Sequence, residues 1–527
     1  MKRVIPDWAS AYAWSIVLLV ATVLLLLSWA RSYPLHQESS NLPFLSSVYW
    51  TYWVSYVLFA ISFSWVAVTS HSVPVKWVAA VGFFTLMNSL AYFYYYVPGP
   101  DTFFMNLAPA YFSGGFIYSP SFRVYSWAGF FLLYRMLSEV TRLPLNLAVA
   151  VFYFGTGFVT VSMLFFIATS HGFEGFWSVV VFSIIGFFYL DYQFAPQTLA
   201  LAFVLILFFI DYSYGKRFAG IVTVLILVIA TALSHAFVLA YFAVYLIIRT
   251  FQNRRYMLIG IFTITLALVS NMFLSFSVMS TLVQGLFNSI ELMLGFADYG
   301  SRMGTAITNT SPFVTLARLS VLCAAAVSAL GLVHLMWKRS VLPQDVALIS
   351  TSALGLGVGI AVEYFGTRAI QLAIVVAALG TGHFPALLGK RRVCAALLLF
   401  LSISSIFCIM HLNYNPQLYQ NQEDAHAADF LSTRIELAGR GYSNSLKIFT
   451  PYILRGYFGH SDGGNASILV FTSFRGIDTS SLDYALAPTA TPANAGNTSA
   501  YLAAKAGLAS KYNIVFSYGD GVIYAAT

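Results

Sequence analysis

Residues 145–169 read LNLAVAVFYFGTGFVTVSMLFFIAT, twenty-five positions without one Asp, Glu, Lys or Arg. At about 1.5 Å of rise per residue a helix of this length reaches roughly 37 Å, more than the ~30 Å hydrocarbon layer of a bilayer. Comparable apolar runs recur along the chain. They predict spans near 11–30, 49–69, 77–96, 145–169, 175–190, 197–212, 218–233, 236–251, 257–278, 312–336, 344–362, 368–386 and 393–411. The run at 11–30 is too long for the apolar core of a signal peptide, and no small-residue cleavage site follows it.

The composition of the 527 residues agrees with this: 59% are hydrophobic, 17% aromatic and only 9% charged. A soluble protein carries about 25% charged residues. A chain this poor in charge cannot cover a water-facing surface, which excludes a soluble globular enzyme, a disordered protein, a coiled coil and a nucleic-acid-binding domain. Cys323, Cys394 and Cys408 all sit in apolar runs, so neither a disulfide framework nor a cysteine-based zinc site is available. The expected fold is an all-α polytopic membrane protein of about thirteen transmembrane helices over residues 1–411, with a small α/β domain over 412–527.

Basic residues predict the orientation. Lys2, Arg3, Lys76, Lys216, Arg217, Arg254, Arg255, Lys338, Arg339, Lys390, Arg391 and Arg392 fall on one side of this arrangement. That side is expected to be cytoplasmic, with the amino terminus inside and the carboxyl-terminal domain outside the cell membrane. Sequons at Asn309, Asn465 and Asn497 fall on the outer side.

Three segments break the apolar pattern, all on that outer side: 97–144, 279–311 and 412–527. The first holds two amphipathic stretches, near 102–113 and 122–138, expected to lie in the membrane interface. The tail has ordinary soluble character. EDAHAADFLSTRIELAGR (423–440) is spaced like a surface helix. LKIFTP (446–451), SILVFT (467–472) and NIVFSY (513–518) read as strands, with a hairpin around Gly519-Asp520-Gly521 and a loop over 486–499.

Ionisable residues at the outer ends of the spans are the candidate site: Asp101, Asp191, His235, Glu291, Glu363, Arg318 and Arg368. A carboxylate there can take a proton from a hydroxyl nucleophile or hold a hard cation such as Mg²⁺ or Mn²⁺. Arginine can grip a phosphate with two hydrogen bonds. Each residue also has a plain structural reading. Pro98-Gly99-Pro100-Asp101 is ordinary turn chemistry, Asp191 can cap a helix, and His235 can be a helix-terminal histidine. Glu291 and Glu363 can be solvated loop residues, Arg318 can snorkel to the surface, and Arg368 can be an interfacial anchor.

The string PGPDTFFMNLAPAYFSGGFIYSPSFRVYSWAGFFLLYRMLSEVTRLPLN (98–146) resembles the opening of GT-C fold glycosyltransferases. The likeness lies in an outer aspartate, an aromatic, a helix ending in glycines, Tyr-x-Pro, a second interfacial helix and then the next span. DYQFAPQTLAL (191–201) resembles an outer turn of that family, ALSHAF (232–237) a following turn in archaeal members, and EYFGTRAIQLAIVVAALGTG (363–382) their late arginine-bearing span. The resemblance covers residues 77–251 well and the rest loosely. The family often has paired acidic residues in the outer loop where this chain has Asp101 alone. The Trp-Trp-Asp-Tyr-Gly motif of oligosaccharyltransferase is absent.

The resemblance implies transfer of a sugar from a polyprenyl-phosphate carrier to a glycan, lipid or protein acceptor outside the cytoplasm, with no nucleic-acid partner. Asp101 would be the general base or a metal ligand, and Asp191 would assist, as a second ligand of Mg²⁺ or Mn²⁺. Arg368 and Arg318 would hold the lipid-linked phosphate. His235, Tyr192, Gln197 and Glu363 would line the substrate groove. A transporter or lipid-linked-saccharide flippase, and a polysaccharide polymerase or ligase using diphosphate-linked donors, are the alternatives.

Overall fold

A computed structural model describes residues 7–32, 48–93, 128–143, 145–189, 196–214, 221–274, 312–338, 341–361, 363–388 and 391–411, together with five short strands between 446 and 525. The described chain before residue 412 is almost wholly helical. A helix lies over each of the apolar runs. The first are α1 (Asp7–Ser32), α2 (Thr51–Thr69) and α3 (Val73–Phe93). Next come α4 (Ala128–Thr141), α5 (Leu145–Ser170), α6 (Gly175–Tyr189), α7 (Pro196–Tyr214), α8 (Ile221–Ser234) and α9 (Ala236–Gln252). A 3-10 turn (Arg254–Tyr256) leads into α10 (Met257–Leu274). The last are α11 (Pro312–Trp337), α12 (Pro343–Ala361), α13 (Glu363–Leu388) and α14 (Arg391–His411).

Among the described residues, four helical stretches are long and apolar enough to cross a membrane: Thr51–Thr69, Val151–Ser170, Thr315–Trp337 and Arg392–Ile409. Others, including Gly175–Gly186 and Ile221–Ser234, are apolar but shorter. The surfaces of these helices carry the same message. On α8, Val224, Val228 and Ala232 are buried while Ile221, Val222, Ile226, Ile229 and Leu233 are exposed. A helix with apolar side chains on both faces suits a hydrocarbon surrounding and not water.

The core forms around α6. Every residue from Phe176 to Ile185 is buried. A helix apolar all round belongs in the interior, and α3, α5, α11, α13 and α14 pack against this one. Small residues bring the helices close. A Cβ on Gly331 of α11 would stand 2.0 Å from the carbonyl oxygen of Gly380 in α13, so the two backbones touch there. One turn away, Ser328 and Thr381 share a hydrogen bond of 2.6 Å. Hydroxyls also join α14 to α2, through Tyr56–Ser405 and Ser64–Ser402. Close small-residue crossings and interhelical hydroxyl bonds are how helices associate where lipid removes the hydrophobic drive.

The second amphipathic stretch is helical from Ala128, as α4, and its residues 122–127 lie outside the described residues. It packs Phe130 and Tyr134 on Phe152 of α5 and leaves Leu132, Leu133, Met136 and Val140 exposed. The left-handed φ of 52° at Arg142 ends it. The stretch 102–113 lies outside the described residues.

In the tail the strands are β1 (Leu446–Pro451), β2 (Ala466–Phe471), β3 (Tyr484–Ala487), β4 (Asn513–Tyr518) and β5 (Gly521–Ala525). They form one sheet in the order β2-β1-β3-β5-β4. β1 runs parallel to both β2 and β3, while β5 is antiparallel to β3 and β4. β3 was not expected from its short YALA sequence, which includes the start of the expected loop. The helix expected over 423–440 lies outside the described residues.

Candidate functional site

Helix direction sorts the polar residues to two ends of the bundle. Ser328 meets Thr381, and the ring of His334 stacks on His383 at 4.9 Å, so α11 and α13 run the same way. His383 also meets Phe173, which stacks on His171, and these lie in the turn between α5 and α6. His171 touches Tyr212 at the end of α7, and Tyr212 bonds Asp345 at the start of α12. Glu174, beside this turn, accepts from Lys76 of α3 at 2.7 Å, and its N–H donates to the Gly382 carbonyl. All these groups share one end, which also carries the basic residues Arg254, Arg255 and Lys338.

The helices that lead towards the residues expected to form the site run to the other end. α3 starts beside Glu174 and runs away from it to Phe93, ahead of Asp101. α6 runs the same way to Tyr189, just ahead of Asp191. Asp101, Asp191, Tyr192 and Glu291 themselves lie outside the described residues. Gln197 is on the first turn of α7, half-buried. Glu363 and Arg368 are on the first two turns of α13. His235 separates α8 from α9 with φ −160° and ψ 98°, and is 5% exposed. Its carbonyl accepts from Val238 and Leu239, which starts α9. That burial and backbone role match the helix-terminal reading more than direct contact with a substrate.

Arg318 fits the snorkelling reading of the two that the sequence left open. Its side chain is exposed on the outer face of α11 beside Leu319 and Leu322. An arginine among exposed leucines can snorkel its charge to a membrane surface, whereas a phosphate ligand lines a pocket. One contact does draw the site elements together. A Cβ on Gly129, at the start of α4, would stand 2.7 Å from Cβ of Leu233. The interfacial helix therefore rests on the end of α8, two residues before His235.

The opposite end holds the most concentrated polar cluster among the described residues, and sequence reasoning did not single it out. Asp211 is 3% exposed in the last turn of α7, where the helix dipole disfavours a carboxylate. Four donors offset that. Arg249 of α9 donates from Nε at 2.9 Å and from Nη2 at 3.2 Å. The hydroxyls of Tyr245 and Tyr256 donate as well. Arg249 in turn bonds Gln252 at 2.8 Å and lies 4.5 Å above the Tyr256 ring.

Asp345 forms a second centre there. Pro343 opens α12, and Asp345 reaches back to the Leu342 N–H at 2.8 Å, a capping box in outline. Its other oxygen accepts from Tyr212 at 2.9 Å and stands 4.0 Å from Nε2 of His171. Burial pulls the His171 pKa below 6.5, against the opposing pull of Asp345. The signal for this cluster was legible: an aspartate and an arginine inside otherwise apolar runs, FFIDYSY and YLIIRTF.

Chemically, the cluster is satisfied. Asp211 spends its lone pairs on four donors and has none to offer a cation or a proton in transit. No group of three or more His, Cys, Asp or Glu suited to a metal occurs among the described residues. The carboxylates expected to hold Mg²⁺ or Mn²⁺ lie outside them. A comparison with protein-family models returned no match for this chain, and neither did one with curated protein sequences.

Proposed function

We propose that this chain is a multi-pass membrane glycosyltransferase that moves a sugar from a polyprenyl phosphate to an acceptor on the outer face of the membrane. The observation that carries the proposal is the asymmetry of the bundle. At one end polar contacts of Asp211 and Asp345 tie α7 to α9 and α12. Towards the other run α3 and α6, which precede Asp101 and Asp191 in the sequence, and Arg368 is on the second turn of α13.

In this reading about thirteen helices span the membrane. The basic end is cytoplasmic by the charge bias, and the strands of 446–525 belong to a small α/β domain outside. The donor phosphate sits at headgroup depth while its tail stays in lipid. Asp101 takes the proton of the acceptor hydroxyl as that oxygen attacks the anomeric carbon. The bond from sugar to phosphate breaks, and the polyprenyl phosphate leaves with the electron pair, its charge held by Arg368. If a divalent cation takes part, Asp101 and Asp191 are its ligands.

Purified protein in liposomes containing a polyprenyl-phosphate sugar tests the proposal. Sugar transfer to an added acceptor is expected, with loss in Asp101→Asn. Substrate flux across sealed vesicles without transfer would replace it with the transporter reading.

A further inference from the structure

We propose that the corner formed by the end of α9, the 3-10 turn and the start of α10 binds the headgroup of an anionic phospholipid. The corner is built from the chain outward. Arg249 and Tyr256 are buried and both bond Asp211, which fixes the backbone on either side of the turn. Asn253 closes it: its N–H donates to the Arg249 carbonyl, its side chain accepts from the Arg255 N–H at 3.1 Å, and its carbonyl accepts from Tyr256.

This rigid turn presents Arg254 and Arg255 outward, both exposed. Among the described residues Arg254 makes no ion pair. The apolar neighbours make the corner suited to a lipid in particular. Phe251 is 89% exposed on one side of the arginines and Leu258 is 74% exposed on the other. Met257 and Ile261 continue the exposed apolar surface along α10.

Two cations beside projecting apolar side chains match a molecule with a phosphate at one end and acyl chains at the other. A soluble polyanion would use the arginines and leave Phe251 and Leu258 unpartnered. The turn is already held in place, so binding costs little ordering entropy. The inference needs only a chain embedded in a membrane, and it stands whether or not the protein transfers sugar.

The test uses the full chain purified in detergent and exposed to equal amounts of phosphatidylglycerol and phosphatidylcholine, with retained lipid read by native mass spectrometry. Phosphatidylglycerol should be retained in excess. Arg254→Gln/Arg255→Gln should lower that excess by about fivefold for each arginine that contacts the phosphate. Lys338→Gln, at another corner of the same end, should leave it unchanged. Phe251→Ala/Leu258→Ala should lower retention of both lipids at this corner. Unchanged circular dichroism in each variant separates lost binding from lost fold. Equal retention of the two lipids by the unmodified chain would overturn the proposal. So would an excess that survives in the double arginine variant, or full displacement of the lipid by soluble glycerol phosphate.

Discussion

Arg249 and Asp211 face each other across α9 and α7, with Nε 2.9 Å from one carboxylate oxygen and Nη2 3.2 Å from the other. Removing one partner of a buried pair strands the other charge, at a cost of about 3–5 kcal/mol. Arg249→Met should therefore sharply lower the thermal midpoint or the yield of folded protein. Asp211→Asn/Arg249→Met should recover part of that loss, because no charge is left unpaired. Additive losses in the double variant would show that the two residues act independently.

The contact of Gly331 with Gly380 gives a second prediction. Gly331→Ala sets a methyl 2.0 Å from a backbone oxygen, and a carbonyl cannot swing aside as a side chain can. The two helices must separate, at a cost of about 1–3 kcal/mol. Gly155 is the control, since a Cβ there meets nothing within 4 Å. Gly155→Ala should leave stability level or slightly raised. Equal thermal midpoints for the two variants would contradict the close crossing.

The buried His171 should make stability depend on pH. Its folded pKa lies below 6.5. Between that folded value and 6.5 the unfolded chain binds a proton that the folded chain does not. The contribution of this residue is complete above 6.5 and is lost as pH falls through the window. Thermal midpoints recorded from about pH 7.5 to about pH 5 should fall less steeply in His171→Gln than in the unmodified chain. The same slope in both would assign the acid sensitivity elsewhere.

Arg368 and Arg318 should separate in a transfer assay. If Arg368 grips the donor phosphate, Arg368→Ala loses a charged hydrogen bond, or about 10- to 100-fold in kcat/KM. Arg318 is exposed beside leucines on the outer face of its helix, so Arg318→Ala should stay within about twofold, the size of a surface effect. The reverse ranking would move the phosphate to α11.

Much of the helical architecture was legible because apolar runs declare themselves. The charge-free GFWSVVVFSIIGFFY read as a span, and it forms the buried centre of the bundle as α6. The strands LKIFTP and NIVFSY were readable from alternation, whereas YALA of β3 offers no such pattern. The Asp211–Arg249 pair was harder. Its members stand 38 positions apart, and nothing local in either run says that they meet. Gly331 and Gly380 look like any small residues until the two helices are seen to cross. Arg318 stayed open between two readings because depth along a helix is visible in sequence while the direction around its axis is not.

The tie between α7, α9 and α12 at one tip would make that tip the fulcrum of any relative motion. Helices riveted at the base part by fanning, like the blades of a pair of scissors. A tilt of about 5° on a helix roughly 25 Å long shifts the free tip by about 2 Å. Such a splay would widen or narrow a cleft between the far tips while leaving the riveted base unstrained.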